Sequence, residues 1–170
     1  MQAAQSAPLW LRAEARRAWS VSHVIIRIGA SRFALSMDAV AQVGKLPGFT
    51  RVPGTPSWVA GVANWRGRVL GVVDLRPLLA MPAEEEGRAK DARLVILANG
   101  PVQVAILADR VDGVIDIDPD ALEPTMLTLG EEAGSLLMGQ ANDAEGPIGV
   151  LDDSAVFALR SRLAGARRAG

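Results

Sequence analysis

The sequence predicts a mainly β protein made of two similar halves, each folded as a small barrel, with a shared core between them. Three observations lead to this fold class. A framework rich in glycine and asparagine occurs at 61–74 and again at 139–152, at a constant offset of 78 residues. Two hairpin signals, at 29–31 and 99–100, each open one half. A shorter echo, at an offset of 71 residues, follows each hairpin.

The two repeats align residue by residue. The framework positions that both halves share are Gly61, Ala63, Asn64, Gly71, Val72 and Asp74 in the first copy and Gly139, Ala141, Asn142, Gly149, Val150 and Asp152 in the second. The shorter echo pairs Asp38, Val40 and Val43 with Asp109, Val111 and Val114. Shared residues are expected to build the fold. The unshared middle, WRGRVL in one copy and DAEGPI in the other, is therefore the better place to look for function.

Composition bounds the class of protein. The 170 residues suit one domain or two small ones packed together, and 49% of them are apolar, which is enough for a core. The net charge of −1 gives no global attraction to nucleic acid or membrane. The chain has no cysteine, which excludes disulfides and thiolate metal sites. No apolar run reaches the roughly 18 residues of a membrane span, and no secretory signal is expected.

The N-terminal segment, 1–20, is predicted to be helical. Residues 8–19 (PLWLRAEARRAW) are rich in the helix formers Ala, Leu, Arg and Glu. Trp10 and Trp19 are expected to pack on the main body. A disordered leader is the alternative.

The first half begins with two short β-rich runs, HVIIRI and RFALSM, joined at Gly29-Ala30-Ser31. A further strand is predicted around Val40 and Val43. The glycines and prolines of 44–58 predict a loop before the first framework copy. The segment LRPLLAM predicts a helix with Asp74 as its N-cap and Pro77 in its first turn.

The second half repeats this order after a polar linker at 82–92. Two apolar runs, 93–98 and 102–108, flank Asn99-Gly100, a strong hairpin signal. The second framework copy then leads into a last helix, which is predicted to start near Asp152–Ser154 and to run to residue 168.

Residues that could carry catalysis are scarce. His23 is the only histidine and is interpreted as a strand-end residue, and without cysteine a transition-metal site is not supported. Gly44-Lys45 lacks the other residues of a phosphate-binding loop. Apart from the two ends of the chain, the basic residues are scattered and lack interleaved aromatics, which argues against nucleic-acid binding. These observations favour a binding module without catalytic residues, metal or cofactor.

A group of aspartates falls near the centre of the chain. Their spacing lacks the glycine and the terminal glutamate of a calcium loop, so they are interpreted as solvated loop acids. They are Asp109, Asp112, Asp116, Asp118 and Asp120.

The stretch NWRG has both a structural and a functional interpretation. Asn64 and Gly67 are good turn residues, and Gly67 is suited to a positive φ. Trp65 and Arg66 are not repeated in the second copy, and both residue types are enriched at interface hot spots. Arg66 is therefore a candidate partner contact. Trp65 is either a partner contact or a filler of the core between the barrels.

The segment GVANWRGRVLGVVDLRPLL resembles the hallmark of the CheW-like domain family, in which Gly-x-x-Asn-Leu-Arg-Gly precedes an apolar run and Asp-Leu-Arg. The resemblance extends over about 23–160 and includes LADRVDGV, the glycine of LLMGQ and the closing VLDDSAVF. It implies two interwoven five-stranded SH3-like β-barrel subdomains with a few short helices, at 21–160. A basic tail is expected at 161–170.

The resemblance also implies a function. A CheW-like adaptor is a non-enzymatic scaffold that binds the regulatory domain of a CheA-type histidine kinase and the cytoplasmic tip of a chemoreceptor. The expected location is the cytoplasm, at receptor arrays, without insertion into the membrane. Such adaptors serve swimming chemotaxis or pilus-driven twitching. The alternatives are a barrel that binds a small regulatory molecule and a structural array protein that contacts kinase domains only.

Three residues depart from the family pattern. Trp65 replaces the leucine of the motif, Gly71 replaces a proline, and Gln42 replaces an acid that can pair with the motif arginine. A glutamine can accept a hydrogen bond but brings no charge. Arg66 is then either held by Gln42 or turned outward toward a partner. The predicted partner-binding residues are Asn64, Trp65, Arg66, Gly67 and Gln42.

Overall fold

The computed structural model of the chain describes residues 8, 20–83, 90–125 and 131–166. The helix predicted at 8–19 lies outside the described residues, apart from the exposed Pro8. The middle of the predicted linker, 84–89, lies outside them as well.

The described part of the chain is mainly β, as predicted, with two helices. The strands are β1 (Val21–Ile28), β2 (Ser31–Ser36), β3 (Val40–Lys45), β4 (Phe49–Thr50), β5 (Val59–Trp65), β6 (Arg68–Val73), β7 (Arg93–Asn99), β8 (Val102–Ala108), β9 (Arg110–Ile117), β10 (Leu137–Asp143) and β11 (Gly146–Leu151). The helices are α1 (Glu131–Leu136) and α2 (Asp153–Ala166), and a short 3₁₀ turn covers Pro119–Ala121.

Both predicted hairpins form. Strands β1 and β2 pair up to Ile28 and Ser31, and strands β7 and β8 pair up to Asn99 and Val102. Each turn carries a glycine with positive φ, as tight hairpin turns require. The strand predicted around Val40 is β3, and the loop that follows it contains the two-residue strand β4.

The duplicated framework corresponds to two equivalent hairpins. Strand β5 begins at residue 59 and β10 at 137, and they end at 65 and 143, a difference of 78 in each case. Strands β6 and β11 begin at 68 and 146 and end at 73 and 151, again 78 apart. The prediction of two equivalent strand pairs is confirmed.

The two barrels are interwoven because each sheet contains strands from both halves of the chain. One sheet has the order β10-β11-β2-β1-β9, and the other has the order β3-β7-β8-β6-β5-β4. The first strand of each half pairs with the third strand of the other half, as β1 with β9 and β7 with β3. The expected five-stranded barrels are therefore confirmed, with the short β4 added at the edge of the second sheet.

The core has three parts. One cluster of buried residues draws on both sheets and both helices, and includes Phe33, Leu75, Leu97 and Ile106. Two smaller clusters belong to one sheet each: the first is formed by β5 to β8 and the second mainly by β1, β2 and β11. The large shared cluster confirms the prediction that the two halves share a core.

The helix predicted to follow Asp74 does not form. The chain makes turns from Arg76 to Ala80, held by a bond from the Leu79 N–H to the Leu75 carbonyl. The backbone of Ala80 has a φ of 51°, which is left-handed and ends the helical path.

The last helix forms as predicted. In α2 the Asp152 side chain accepts from the Ser154 N–H at 2.9 Å, as an N-cap does. The helix extends to Ala166, into the segment 161–170. Among the described residues, the helices are too short and too polar to cross a bilayer.

Candidate partner-binding hairpin

The NWRG stretch forms the tip of the β5–β6 hairpin. Trp65 and Arg68 are the last paired residues, so Arg66 and Gly67 are the two turn residues. Their φ values are 49° and 82°, and positive φ at both positions is the mark of a type I′ turn. The Asn64 side chain accepts from the Gly67 N–H at 3.0 Å, which holds the turn. Asn64 and Gly67 are thus turn residues, as their types suggest.

Arg66 is exposed and occupies an unfavourable backbone conformation. A residue with a Cβ in the left-handed region costs about 1–2 kcal/mol, and glycine or asparagine is usual at this turn position. Its guanidinium carbon lies 5.6 Å from the centroid of the Trp65 ring, within the range of a cation–π contact. The described residues offer its guanidinium no hydrogen bond or ion pair. A strained, exposed arginine is a reason to suspect a functional role.

Trp65 joins the hairpin to the edge strand β3. Its indole N–H donates to the Gln42 side-chain oxygen at 2.8 Å. A Cβ built on Gly44 would lie 2.1 Å from Cη2 of Trp65, so the ring lies where any other residue would place its side chain. Trp65 also packs against the buried cluster of its own sheet. Gln42 is therefore bound to Trp65, and Trp65 closes one barrel.

The equivalent hairpin of the other barrel is held to neighbouring strands by ion pairs. Asp143, at the position that corresponds to Trp65, receives two hydrogen bonds from the Arg32 guanidinium. Glu145 accepts from Arg27 at 3.0 Å, and Arg27 also donates to Asp112 at 2.5 Å. The acids of this hairpin are bound within the protein.

Several acids that were interpreted as solvated loop residues are bound in the fold, and for them that interpretation is wrong. Asp112 and Asp116 lie in strand β9, where Asp112 pairs with Arg27 and Arg110, and Asp116 accepts from Ser22. The Arg110 side chain beside Asp112 lowers the pKa of that carboxyl, and Arg27 adds to the effect. Two members of the group, Asp118 and Asp120, do lie in an irregular segment with a short 3₁₀ turn.

Asp109, which was also interpreted as a solvated loop acid, forms an ion pair with the buried Arg76, so that interpretation is wrong for it as well. Both of its carboxylate oxygens lie 2.6 Å from one guanidinium nitrogen of Arg76, whose side chain is only 6% exposed. Asp109 also accepts from the Gly29 N–H at 2.6 Å. The pair therefore ties the β1–β2 turn to the segment after β6. The only hint in the sequence is the arginine of the Asp-Leu-Arg triplet.

A cavity of about 460 Å³ adjoins this ion pair. Its wall is mostly apolar and includes Phe33, Leu79 and Met81. The charged groups in the wall, Arg76 and Asp109, bind each other. A small-molecule site would need polar groups that converge on the ligand, and this pair is already engaged within the fold.

His23 is the third of the eight residues of β1 and is buried, so it lies within the strand and the interpretation as a strand-end residue is wrong. Its Nδ1 lies 2.7 Å from the Val21 carbonyl oxygen. Within the described ranges, His, Asp and Glu side chains form no group of three or more suited to a metal ion.

The surface around the NWRG tip is basic and partly apolar. Arg68 is exposed beside Arg66, and the next residue, Val69, is 72% exposed. Val69 lies opposite the exposed Asn64 in the β5–β6 ladder. An acidic partner with some apolar surface would complement this hairpin.

The chain is similar in sequence to a known domain family and to named bacterial proteins. A family model described as CheW-like domain matches residues 22–161. Chemotaxis protein CheW of Helicobacter pylori is 30% identical over 117 residues, which are 68% of this chain and 70% of that protein. Protein PilI of Pseudomonas aeruginosa is 34% identical over 101 residues, which are 59% of this chain but only 54% of PilI.

A solved structure shows the same fold. The crystal structure of the scaffolding protein TtCheW from Thermoanaerobacter tengcongensis matches with a TM-score of 0.68 at 24% identity, and the match covers 79% of this chain and 85% of that one. The family match extends over both barrels and includes the NWRG hairpin. The chain belongs to the CheW-like domain family.

Proposed function

We propose that this protein is a non-enzymatic adaptor that couples chemoreceptors to a CheA-type histidine kinase in a chemosensory system. The partners are the regulatory domain of the kinase and the cytoplasmic tip of the receptor, and the protein acts in the cytoplasm at receptor arrays. Support comes from the match of the CheW-like domain model and from relatives that are named as chemotaxis proteins. The proposed output of the system is swimming chemotaxis or pilus-driven twitching.

We further propose that the NWRG hairpin is one of the partner contacts. The observation that carries this proposal is the exposed Arg66 at the turn, held in a left-handed conformation where glycine or asparagine is favoured. The fold does not require an arginine there, because the equivalent hairpin has Ala144 in its place. Trp65, Asn64, Gly67 and Gln42 set the shape of the tip and form the rest of the proposed site.

The experiment compares Arg66→Ala with Arg68→Ala, a matched variant because both arginines are exposed on one hairpin. Each purified variant is titrated by calorimetry against the kinase regulatory domain and a receptor tip fragment from the same organism. Arg66→Ala should weaken binding to one of them by more than about 1 kcal/mol, as a hot spot does. It should change the free energy of unfolding by no more than about 0.5 kcal/mol.

The controls separate three outcomes. If Arg68→Ala weakens binding as much as Arg66→Ala does, the effect is one of general charge and the hairpin tip is not a specific contact. If Arg66→Ala melts much lower than the parent protein, the arginine is structural. If the unaltered protein binds neither fragment, the adaptor function itself is wrong.

A further inference from the structure

The two halves of this protein close their barrels by different chemistry. In one barrel the hairpin tip carries Asp143 and Glu145, and the arginines of neighbouring strands bind both. In the other barrel the corresponding tip is joined to β3 by a neutral hydrogen bond between Trp65 and Gln42. The hairpin that is closed by the neutral bond leaves the Arg66 side chain without a charged partner among the described residues. In the other hairpin, Asp143 and Glu145 both have one.

We infer that Gln42, Gly44 and Trp65 form a neutral latch that closes this barrel and reserves the Arg66 guanidinium for a carboxylate on the partner protein. The latch needs all three residues. Gln42 supplies the acceptor, Trp65 supplies the donor and the ring, and Gly44 leaves the space in which the ring lies.

Trp65 has a second role in this arrangement, as the positioning residue for Arg66. The ring that the latch fixes is also the ring over which the Arg66 guanidinium lies, at 5.6 Å. The side chain is therefore supported from one side by an aromatic face while its N–H groups remain available. A carboxylate is the ligand that a guanidinium binds with two parallel hydrogen bonds.

The position of Arg66 over the Trp65 ring and the exposed Val69 indicate the chemistry of the partner. This step rests on the proposed function. The partner should present an aspartate or glutamate to Arg66, next to an apolar group that covers the exposed Val69. A neutral residue at position 42 is part of this specificity. A carboxylate there would compete with the partner's acid for the same guanidinium.

The first test needs no partner. The intact protein is treated with phenylglyoxal at low salt, and the modification rates of Arg66 and Arg68 are read from peptide masses. Both arginines should react at similar rates in the parent protein. Gln42→Glu should slow the reaction of Arg66 at least threefold and leave that of Arg68 unchanged, since a glutamate keeps the acceptor for Trp65 and adds a charge that binds Arg66. Gln42→Leu, the matched neutral variant, should not slow it.

Two results would overturn the latch. One is an Arg66 that is already protected more than tenfold relative to Arg68 in the parent protein, because it would then not be available. The other is an equal rate for Arg66 in Gln42→Glu and Gln42→Leu. The Trp65 indole N–H adds a structural readout: its hydrogen exchange, followed by NMR, should accelerate in Gln42→Leu and not in Gln42→Glu.

The second test addresses the partner by charge exchange. Arg66→Glu should reduce affinity at least tenfold for the fragment that depends on Arg66, and an Asp→Arg or Glu→Arg change at one position of that fragment should restore it. Arg68→Glu is the control for general repulsion. If no acidic position of the fragment rescues Arg66→Glu, the carboxylate contact is wrong even where the first test upholds the latch. If neither fragment binds the parent protein, the proposed function fails independently.

Discussion

Asp74 and Asp152 occupy the same position of the repeated framework, yet only Asp152 begins a helix. Each accepts a hydrogen bond from the N–H two residues further on, at 3.0 Å from Arg76 and at 2.9 Å from Ser154. Asp152 accepts a second bond from the third residue, Ala155, at 3.4 Å. The third residue after Asp74 is Pro77, which has no N–H to donate. One cap is therefore complete and the other holds only a turn.

The cap of α2 should contribute measurably to stability. Asp152→Ala is expected to lower the free energy of unfolding by about 1 kcal/mol, because two N–H groups in the first turn lose their acceptor. Asp152→Asn, which keeps an acceptor oxygen, should lose much less. Urea denaturation measures both. Equal losses in the two variants would mean that the charge of Asp152, and not its cap, stabilises the helix.

Loss of the ion pair between the buried Arg76 and the partly buried Asp109 should lower the free energy of unfolding more than loss of an exposed contact does. Asp109→Ala is expected to cost about 3 kcal/mol, because it leaves a guanidinium of 6% exposure without its main acceptor and also releases the Gly29 N–H. Urea denaturation again gives the value. Asp116→Ala is the control, since it removes a single exposed bond to Ser22 and should cost less than about 1 kcal/mol. If both variants lose a similar free energy of unfolding, burial of the Arg76 guanidinium does not make its ion pair more important than an exposed bond.

Most of the fold could be predicted from the sequence because the framework repeat indicates the same strand pair in each half of the chain. Asn99-Gly100 marks a hairpin by its turn chemistry alone, and the offset of 78 between framework copies fixes the ends of four strands. The helix predicted after Asp74 does not form, because Pro77 has no N–H with which to complete the cap. The exchange of strands between barrels rests on long-range pairing, and it came only from the family resemblance.

The candidate site was only partly predictable for a physical reason. Residue types pointed to Arg66 and Trp65, and to Gln42 as a neutral replacement. The role of Gly44 depends on how closely a ring from another strand approaches it, which no local pattern shows. The same holds for Asp109, whose partner Arg76 lies 33 residues away in the sequence.

The stability of the protein should depend on pH through Asp153. Burial raises the pKa of this carboxyl, and its Oδ1 has no hydrogen-bond partner among the described residues. A folded pKa above the unfolded one means that ionisation is disfavoured in the fold. The contribution of Asp153 is therefore most favourable below the unfolded pKa and is lost as the pH rises through the folded pKa. Asp153→Asn should gain stability relative to the parent protein at pH 7.5, and the gain should shrink toward pH 4.

Asp112 should change the stability of the protein with pH in the opposite direction to Asp153. Its pKa is lowered, chiefly by the hydrogen bond from Arg110, so its contribution is present above the unfolded pKa and is lost as the pH falls. Asp112→Asn should therefore be less stable than the parent protein at pH 7.5, and the difference should close at low pH. Thermal melts of both variants from pH 3.5 to 8 check the two signs. Parallel curves for Asp153→Asn and the parent protein would show that Asp153 titrates normally.

The packing of Trp65 on Gly44 can be measured as a coupling energy. Gly44→Ala places a methyl group 2.1 Å from Cη2 of the ring, so the indole must shift and its bond to Gln42 is strained or lost. The expected cost is about 1–3 kcal/mol, as for overpacking at other tight sites.

The same methyl group should be harmless once the ring is gone. In a Trp65→Leu background, Gly44→Ala should change the free energy of unfolding by less than about 0.5 kcal/mol, and the difference between the two backgrounds is the coupling energy. Gly71→Ala is the control, because that glycine lies in β6, on the hairpin that carries Trp65, and a Cβ there meets nothing within 4 Å. Equal costs for Gly44→Ala in both backgrounds would place the strain in the backbone of β3 and not in contact with the ring. Trp65 would then close the barrel through Gln42 alone.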